Sequence, residues 1–303
     1  MTSSYGLRLA LLCSACFFAV NLAAGLLIRL SVGSLIRRAS LVSTRSAAKL
    51  LFGARLAPTF LSVAVVLGLC VPSFLLHEQR ATAEGIGAPF LIGALLGLAA
   101  FGDGLVRGAR ALLSSSRFVR HAGHARGLVA LAGIVRPRLL VTQDVVETLT
   151  RDELDAALRH EYAHRLSQDN LKQLLILLTP SLLPGWRGLD SLERAWKQFT
   201  EFAADDYAAA GDAQRSVDLA NALVRVSRLS ASPTPALTAS LLDSCGHLEW
   251  RVSRLLSRAS ASPQPPSRLA LVAAIALVFT AAFPLLHPAS LLAVHNLLEK
   301  LIQ

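Results

Sequence analysis

Charge is the first thing this sequence lacks. Asp, Glu, Lys and Arg make up only 17% of its 303 residues, whereas 53% are hydrophobic. Residues 9–28, 56–76, 85–102 and 269–286 contain no charged side chain at all. A helix needs about 17 to 25 mostly apolar residues to cross the hydrocarbon core, so four transmembrane helices are expected. Acids are scarcer still, 20 against 30 Lys and Arg, which leaves a net charge of +10. Such an excess can mark a nucleic-acid surface. Its distribution here excludes that reading. Arg29, Arg37, Arg38, Arg45, Lys49 and Arg55 follow the first apolar run, and Arg107, Arg110, Arg117, Arg120, Arg126, Arg136 and Arg138 follow the third. Only Arg80 lies between the second and third. This is the positive-inside alternation, and it places both termini outside with 29–55 and 107–268 in the cytoplasm. Arg251, Arg254, Arg258 and Arg268 ahead of the last run agree.

Cysteine is also too sparse for a disulfide framework. Cys13, Cys16 and Cys70 fall in expected spans, and Cys245 in the cytoplasmic part, where thiols stay reduced. The C-x-x-C spacing of Cys13 and Cys16 therefore reads as part of a lipid-facing helix. The stretch ahead of the first run carries one arginine, Arg8, whereas the positive flank follows the run, the reverse of a cleaved signal. No internal repeat is evident, and the tail 287–303 shows no sign of a folded domain. The expected organisation is three spans in 1–106, a cytoplasmic domain in 107–268, a fourth span at 269–286 and a short outer tail.

Within the cytoplasmic part, residues 127–142 are rich in Val, Leu and Ile with Gly133 and Pro137 as punctuation, which predicts two short strands. Thr150 and Glu153 form a capping-box pattern ahead of an apolar-periodic helix at 151–168. The uncharged run 173–186 is too short to span and contains Pro180 and Pro184, so a re-entrant or interfacial segment is expected. Asp190 and Glu193 repeat the capping pattern before a helix at 191–210 that stops near Gly211. Amphipathic stretches at 213–229 and 241–258 are set off by Ser/Pro-rich 230–240 and 259–267, which read as linkers. The fold class is thus a mainly α membrane protein with a cytoplasmic α+β domain containing a small sheet.

The chemistry sits on the 151–168 helix, in His160-Glu161-Tyr162-Ala163-His164. Positions i and i+4 stack on one helix face, so both imidazoles can meet one ion, with Glu161 close to a water there. Catalytic zinc takes three protein ligands and leaves one position open. Glu201 and Asp205, again at i and i+4, offer a third ligand and a carboxylate to orient a ligating histidine. Small Ala203 and Ala204 between them favour close helix packing. Asp206 makes a plain surface acidic patch the competing reading. His121 and His124 read as a solvated juxtamembrane turn, and Trp186, Trp196 and Trp250 as core or interfacial anchors. Asp103, at the inner end of the third span, reads as an acid reaching for the interface.

The order Thr-Arg-Asp-Glu-Leu, His160 to His164, Asp169-Asn170-Leu171 and Glu201 to Asp205 resembles the membrane metallopeptidases of the BlaR/MecR antirepressor type. It is more distantly similar to the HtpX and CAAX prenyl protease group. The resemblance covers roughly 125–260 and implies a gluzincin-like site: one Zn2+ on His160, His164 and Glu201, with Glu161 catalytic and Asp205 behind the ligands. It also makes His247 and Arg251 candidates for substrate contact, although their spacing departs from the HtpX-like pattern. Antirepressor receptors carry a penicillin-binding sensor after the last span, whereas this chain stops at Gln303, so signalling from an attached sensor is not expected.

The resulting expectation is a zinc endopeptidase of a bacterial inner membrane, active at the cytoplasmic face on a protein or peptide substrate, a transcriptional repressor being one candidate. Its mechanism is metal-assisted hydrolysis, with Glu161 moving a proton from water to the leaving amine. The strand at 137–142 would hold substrate as an added strand. Rival readings are a general quality-control peptidase and a zinc-stabilised scaffold without activity.

Overall fold

The computed structural model describes residues 2–77, 87–121, 127–134, 137–181, 189–229, 238–240 and 248–258. Three helical columns are long and apolar enough to cross a membrane. The first is α1 (Thr2–Ala39); the second joins α2 (Thr44–Val65), a π-helical turn (Val66–Cys70) and α3 (Val71–His77); the third is α4 (Ala88–His121). All three exceed the charge-free runs at their arginine-bearing ends. Once the apolar run has passed, residues 103–121 keep the helix going as an amphipathic rod. The fourth expected span, 269–286, lies outside the described residues.

The columns touch along α1, which contacts both α2 and α4. Near one end, Cys70 is fully buried in an apolar cluster with Leu12 and Phe74, and Cys13 and Cys16 pack against it. The C-x-x-C pair thus faces a neighbouring helix as well as lipid. Arg107 pairs with Asp103 at 3.2 Å, and Ser181 Oγ donates to the same carboxylate at 3.4 Å, so this acid is held by protein.

The second half of the described chain contains β1 (Val129–Ala132), β2 (Arg138–Val141), α5 (Gln143–Thr148), α6 (Arg151–Ser167), α7 (Asp169–Leu178), α8 (Asp190–Ala209), α9 (Ala213–Leu229), β3 (Thr238–Ser240) and α10 (Leu248–Arg258). The strands form a three-stranded antiparallel sheet in the order β2-β1-β3. β1 is buried at every position, and β2 is an edge with Arg138 and Leu139 exposed. β3 falls in a stretch expected to be a linker; three residues are too few to give a strand pattern, and the pairing with β1 supplies what local propensity does not.

Two cores hold the helices. One gathers Val129, Ala157, Leu219, Leu223 and Leu255 between β1, α6, α9 and α10. The other gathers Val32, Ala47, Leu51, Ile176, Leu192 and Trp196, joining the extended ends of α1 and α2 to α7 and α8. Trp196 is therefore a core residue, whereas Trp250 is 65% exposed and Trp186 lies outside the described residues.

The uncharged run from 173 begins as the second half of α7, capped at Thr179 just before Pro180. Its apolar residues face α4 and α2, so packing against the spans explains the composition. Gly104 permits that approach: a Cβ there would meet the Leu178 carbonyl oxygen at 2.5 Å. The capping box expected at Asp190 does not form. Asp190 is already helical, Leu189 is the cap, and Glu193 instead reaches Arg55 of α2 at 2.8 Å. Arg55 is 3% exposed, so this ion pair ties a membrane helix to α8 through buried charge.

Candidate metal centre

Helix α6 opens as its sequence predicts. Thr150 accepts from the Glu153 N–H, and Glu153 accepts from the Thr150 N–H at 2.9 Å, completing a capping box. The helix ends at Gln168, whose φ of 55° is left-handed, and α7 starts at the next residue. That tight turn brings Asp169 back onto the last turn of α6, where its Oδ2 lies 2.9 Å from His164 Nδ1. Asn170 donates to the carbonyls of Leu131 and Gly133, both at 2.9 Å, pinning α7 to the end of β1.

Helix α8 crosses α6 with Glu201 and Asp205 on the facing side. His160 Nε2 lies 3.1 Å from His164 Nε2 and 3.5 Å from Glu201 Oε2, and His164 Nε2 lies 3.7 Å from Glu201 Oε1. Among the described residues, these three side chains are the one His/Cys/Asp/Glu group whose donor atoms come close enough to share an ion. Each imidazole turns its Nε2 toward that point. Each also has its Nδ1 on a carboxylate, Asp205 for His160 at 3.0 Å and Asp169 for His164 at 2.9 Å. A carboxylate on Nδ1 fixes the tautomer that leaves the Nε2 lone pair for a metal.

Arg251 of α10 completes the cluster. It is 2% exposed and grips Asp205 in a fork, Nε to Oδ2 at 3.0 Å and Nη2 to Oδ1 at 2.6 Å, while Nη1 lies 3.1 Å from Glu201 Oε2. One turn on, a single nitrogen of Arg254, Nη2, lies 2.7 and 2.8 Å from the two Asp206 carboxylate oxygens, and Thr44 at the start of α2 donates to Asp206 at 2.7 Å. His247 lies outside the described residues, as does His124.

Burial alone would push the Glu201 and Asp205 carboxyls up, but Arg251 and the histidines outweigh it. Glu201 is held down to about 2, and Asp205 falls as well. Burial likewise depresses both imidazoles, yet carboxylate contacts dominate. Asp205 and Glu201 raise His160, and Glu201 with Asp169 raises His164. Two anions locked in place beside two imidazole Nε2 atoms are a donor set that could hold a metal ion. Glu161 is the opposite case: burial pushes its carboxyl up to about 8, only partly offset by His164. Both its oxygens are buried without a hydrogen-bond partner.

Glu161 also lines a groove of about 840 Å³ bordered by Leu139 of edge strand β2, Leu158 and Tyr162 of α6 and Tyr207 of α8. The structure brings together His160, His164, Glu201, Glu161 and Asp205, all named from the sequence, and adds Asp169, which was not, as a histidine partner. An acid directly after the helix end, five residues from His164, was the available signal.

No curated protein and no solved structure matches the chain. Residues 122–230 match the family model of Peptidase family M48, a stretch that contains both histidines, Glu161, Glu201 and Asp205 and supports a metallopeptidase.

Proposed function

We propose that the protein is a membrane-embedded zinc endopeptidase that holds one Zn2+ on His160, His164 and Glu201 and uses Glu161 as general base. The observation that carries this reading is the convergence of the three donors beside the buried carboxyl group of Glu161. Zinc–nitrogen bonds of about 2.0–2.1 Å in a tetrahedron separate ligand atoms by about 3.3 Å. The observed separations of 3.1, 3.5 and 3.7 Å bracket that value. A structural site would close its fourth position and would have no use for a buried glutamate next to it, which argues against a mere scaffold.

Bound there, the ion supplies Lewis-acid activation of a carbonyl and of water. Asp205 and Asp169 hold the two rings in register. Arg251 keeps Glu201 and Asp205 ionised and positioned. Glu161, facing the groove, takes a proton from water and passes it to the leaving amine. Substrate lies along β2, whose outer edge is unpaired among the described residues and offers backbone hydrogen bonds, with an apolar side chain toward Leu139, Tyr162 and Tyr207. The arginine asymmetry supports a cytoplasmic orientation of this groove, in our reading at a bacterial inner membrane. Within this reading, antirepressor-type cleavage of a repressor protein is the narrower possibility, and broad quality-control cleavage its rival.

The test is Glu161→Gln in the full-length protein. Zinc content should stay at about one per chain while cleavage of a natural substrate falls about 100-fold or more. Comparing the cytosolic and membrane proteomes of cells carrying either form identifies that substrate. Retained cleavage in Glu161→Gln would overturn the assignment.

A further inference from the structure

A second, smaller pocket of about 190 Å³ lies where the start of α2 meets the α6–α7 turn and α8. None of the three metal-site donors lines it. Three cations do: Arg45 and Lys49 on the first turns of α2, and Lys172 on α7. Their one acidic counterpart is Asp169, which is already engaged by Lys172 Nζ at 2.9 Å and by His164. Arg45 and Lys49 make no ion pair with any described residue. Thr200 on α8 also lines the pocket; it is 8% exposed, and its Oγ1 is buried without a hydrogen-bond partner.

An excess of cations and a buried hydroxyl lacking a partner among the described residues form a consistent donor set with no acceptor to match. We propose that this pocket binds a phosphate-class anion, its oxygens taking Arg45, Lys49 and the Thr200 hydroxyl. The volume suits one phosphate group, comparable with a few waters at about 30 Å³ each. Two sources share that chemistry. The apolar run of the second column starts at residue 56. At 1.5 Å per residue, Lys49 and Arg45 sit about 10 to 16 Å along the helix from it, beyond the about 5 to 7 Å that headgroups add on each side of the core. Free phosphate therefore reaches the pocket directly, and a phospholipid headgroup reaches it where the long Arg45 and Lys49 side chains extend back toward the bilayer. Because Lys172 and Asp169 link it to His164, occupancy borders the metal site without using any of its ligands.

The experiment uses full-length protein in phosphate-free detergent. Inorganic phosphate is titrated calorimetrically. Phosphatidylglycerol and a diacylglycerol with the same chains are compared by native mass spectrometry. Wild type should bind inorganic phosphate or retain phosphatidylglycerol in preference to diacylglycerol. The first result identifies a soluble ligand and the second a lipid. The Arg45→Ala/Lys49→Ala double variant should weaken either interaction at least about tenfold, and Thr200→Val about threefold or more, with zinc content unchanged. If the double variant loses zinc, Thr200→Val alone decides. Wild type that binds neither probe, or variants that bind both as wild type does, would overturn the proposal.

Discussion

Helices α8 and α10 meet through two guanidinium–carboxylate contacts three residues apart on α10, made by two nitrogens at Arg251 and by one at Arg254, and the two differ further in what surrounds them. Arg251 and Asp205 are 2% and 0% exposed and abut the metal-site donors. Arg254 and Asp206 are 14% and 29% exposed and border Thr44 of the second column. The same pair of residue types thus does two jobs. The inner fork balances charge that the fold has removed from water, where an uncompensated ion is expensive. The outer contact sits where solvent screens either partner if the other is lost. The same contrast recurs at the histidines: His160 is anchored by the inner fork, across 45 residues of sequence, and His164 by Asp169, across five.

The comparison breaks most sharply at Arg251. Arg251→Met leaves Asp205 and Glu201 as buried anions without their cation, which should cost about 3–5 kcal/mol of stability. A bound dication replaces much of that positive charge, so the loss should be largest after chelation and smaller with zinc. Thermal melts with and without chelator read the difference, and equal losses in both states would separate the fork from the metal site. Asp205→Asn should follow, lowering zinc affinity about 10-fold to 100-fold by releasing His160 Nδ1 without emptying the site at saturating zinc. Asp169→Asn acts on His164 in the same way. Its other partner, Lys172, is 26% exposed and can turn to water. The expected loss therefore lies near the 10-fold end with little change in melting temperature. A competitive zinc titration ranks the two variants, and the reverse order would mean that the local anchor is the more important one.

Legibility in the sequence follows the range of the interactions. The cap of α6, the stacked histidines and the Glu201/Asp205 spacing all depend on residues within one or two helical turns, and each was readable from local pattern. Asp169 was not, because its approach depends on one left-handed residue, Gln168, that no glycine announces. Arg251 was noticed only as a candidate substrate contact. Its grip on Asp205 arises from the packing of α10 onto α8 and α9, which no local pattern encodes. The spans illustrate the converse. Absence of charge located their apolar stretches, but the helices run on past them because amphipathic sequence at the arginine-bearing ends packs on α7 and α8. The apolar columns and the part that holds the candidate metal site are therefore joined by the buried core around Leu51 and Trp196.

The smallest expected effect sharpens the comparison from its outer side. Arg254→Met removes the Nη2 contact to Asp206 and the guanidinium stacked 4.6 Å from the Phe202 ring centroid. A partly exposed ion pair contributes up to about 1 kcal/mol. An exposed cation–π contact adds about 0.5–1 kcal/mol. The methionine stem retains much of the packing on Phe202, so the net loss should be about 1 kcal/mol. Asp206 keeps the Thr44 hydroxyl at 2.7 Å and access to water, and is not stranded as Asp205 would be. Zinc affinity should therefore stay within about twofold of wild type, and the melting temperature should fall by the same amount with and without chelator. If zinc affinity dropped as it does in Asp205→Asn, the two contacts would be one network, and contact with the membrane helix at Thr44 would reach the metal site through it.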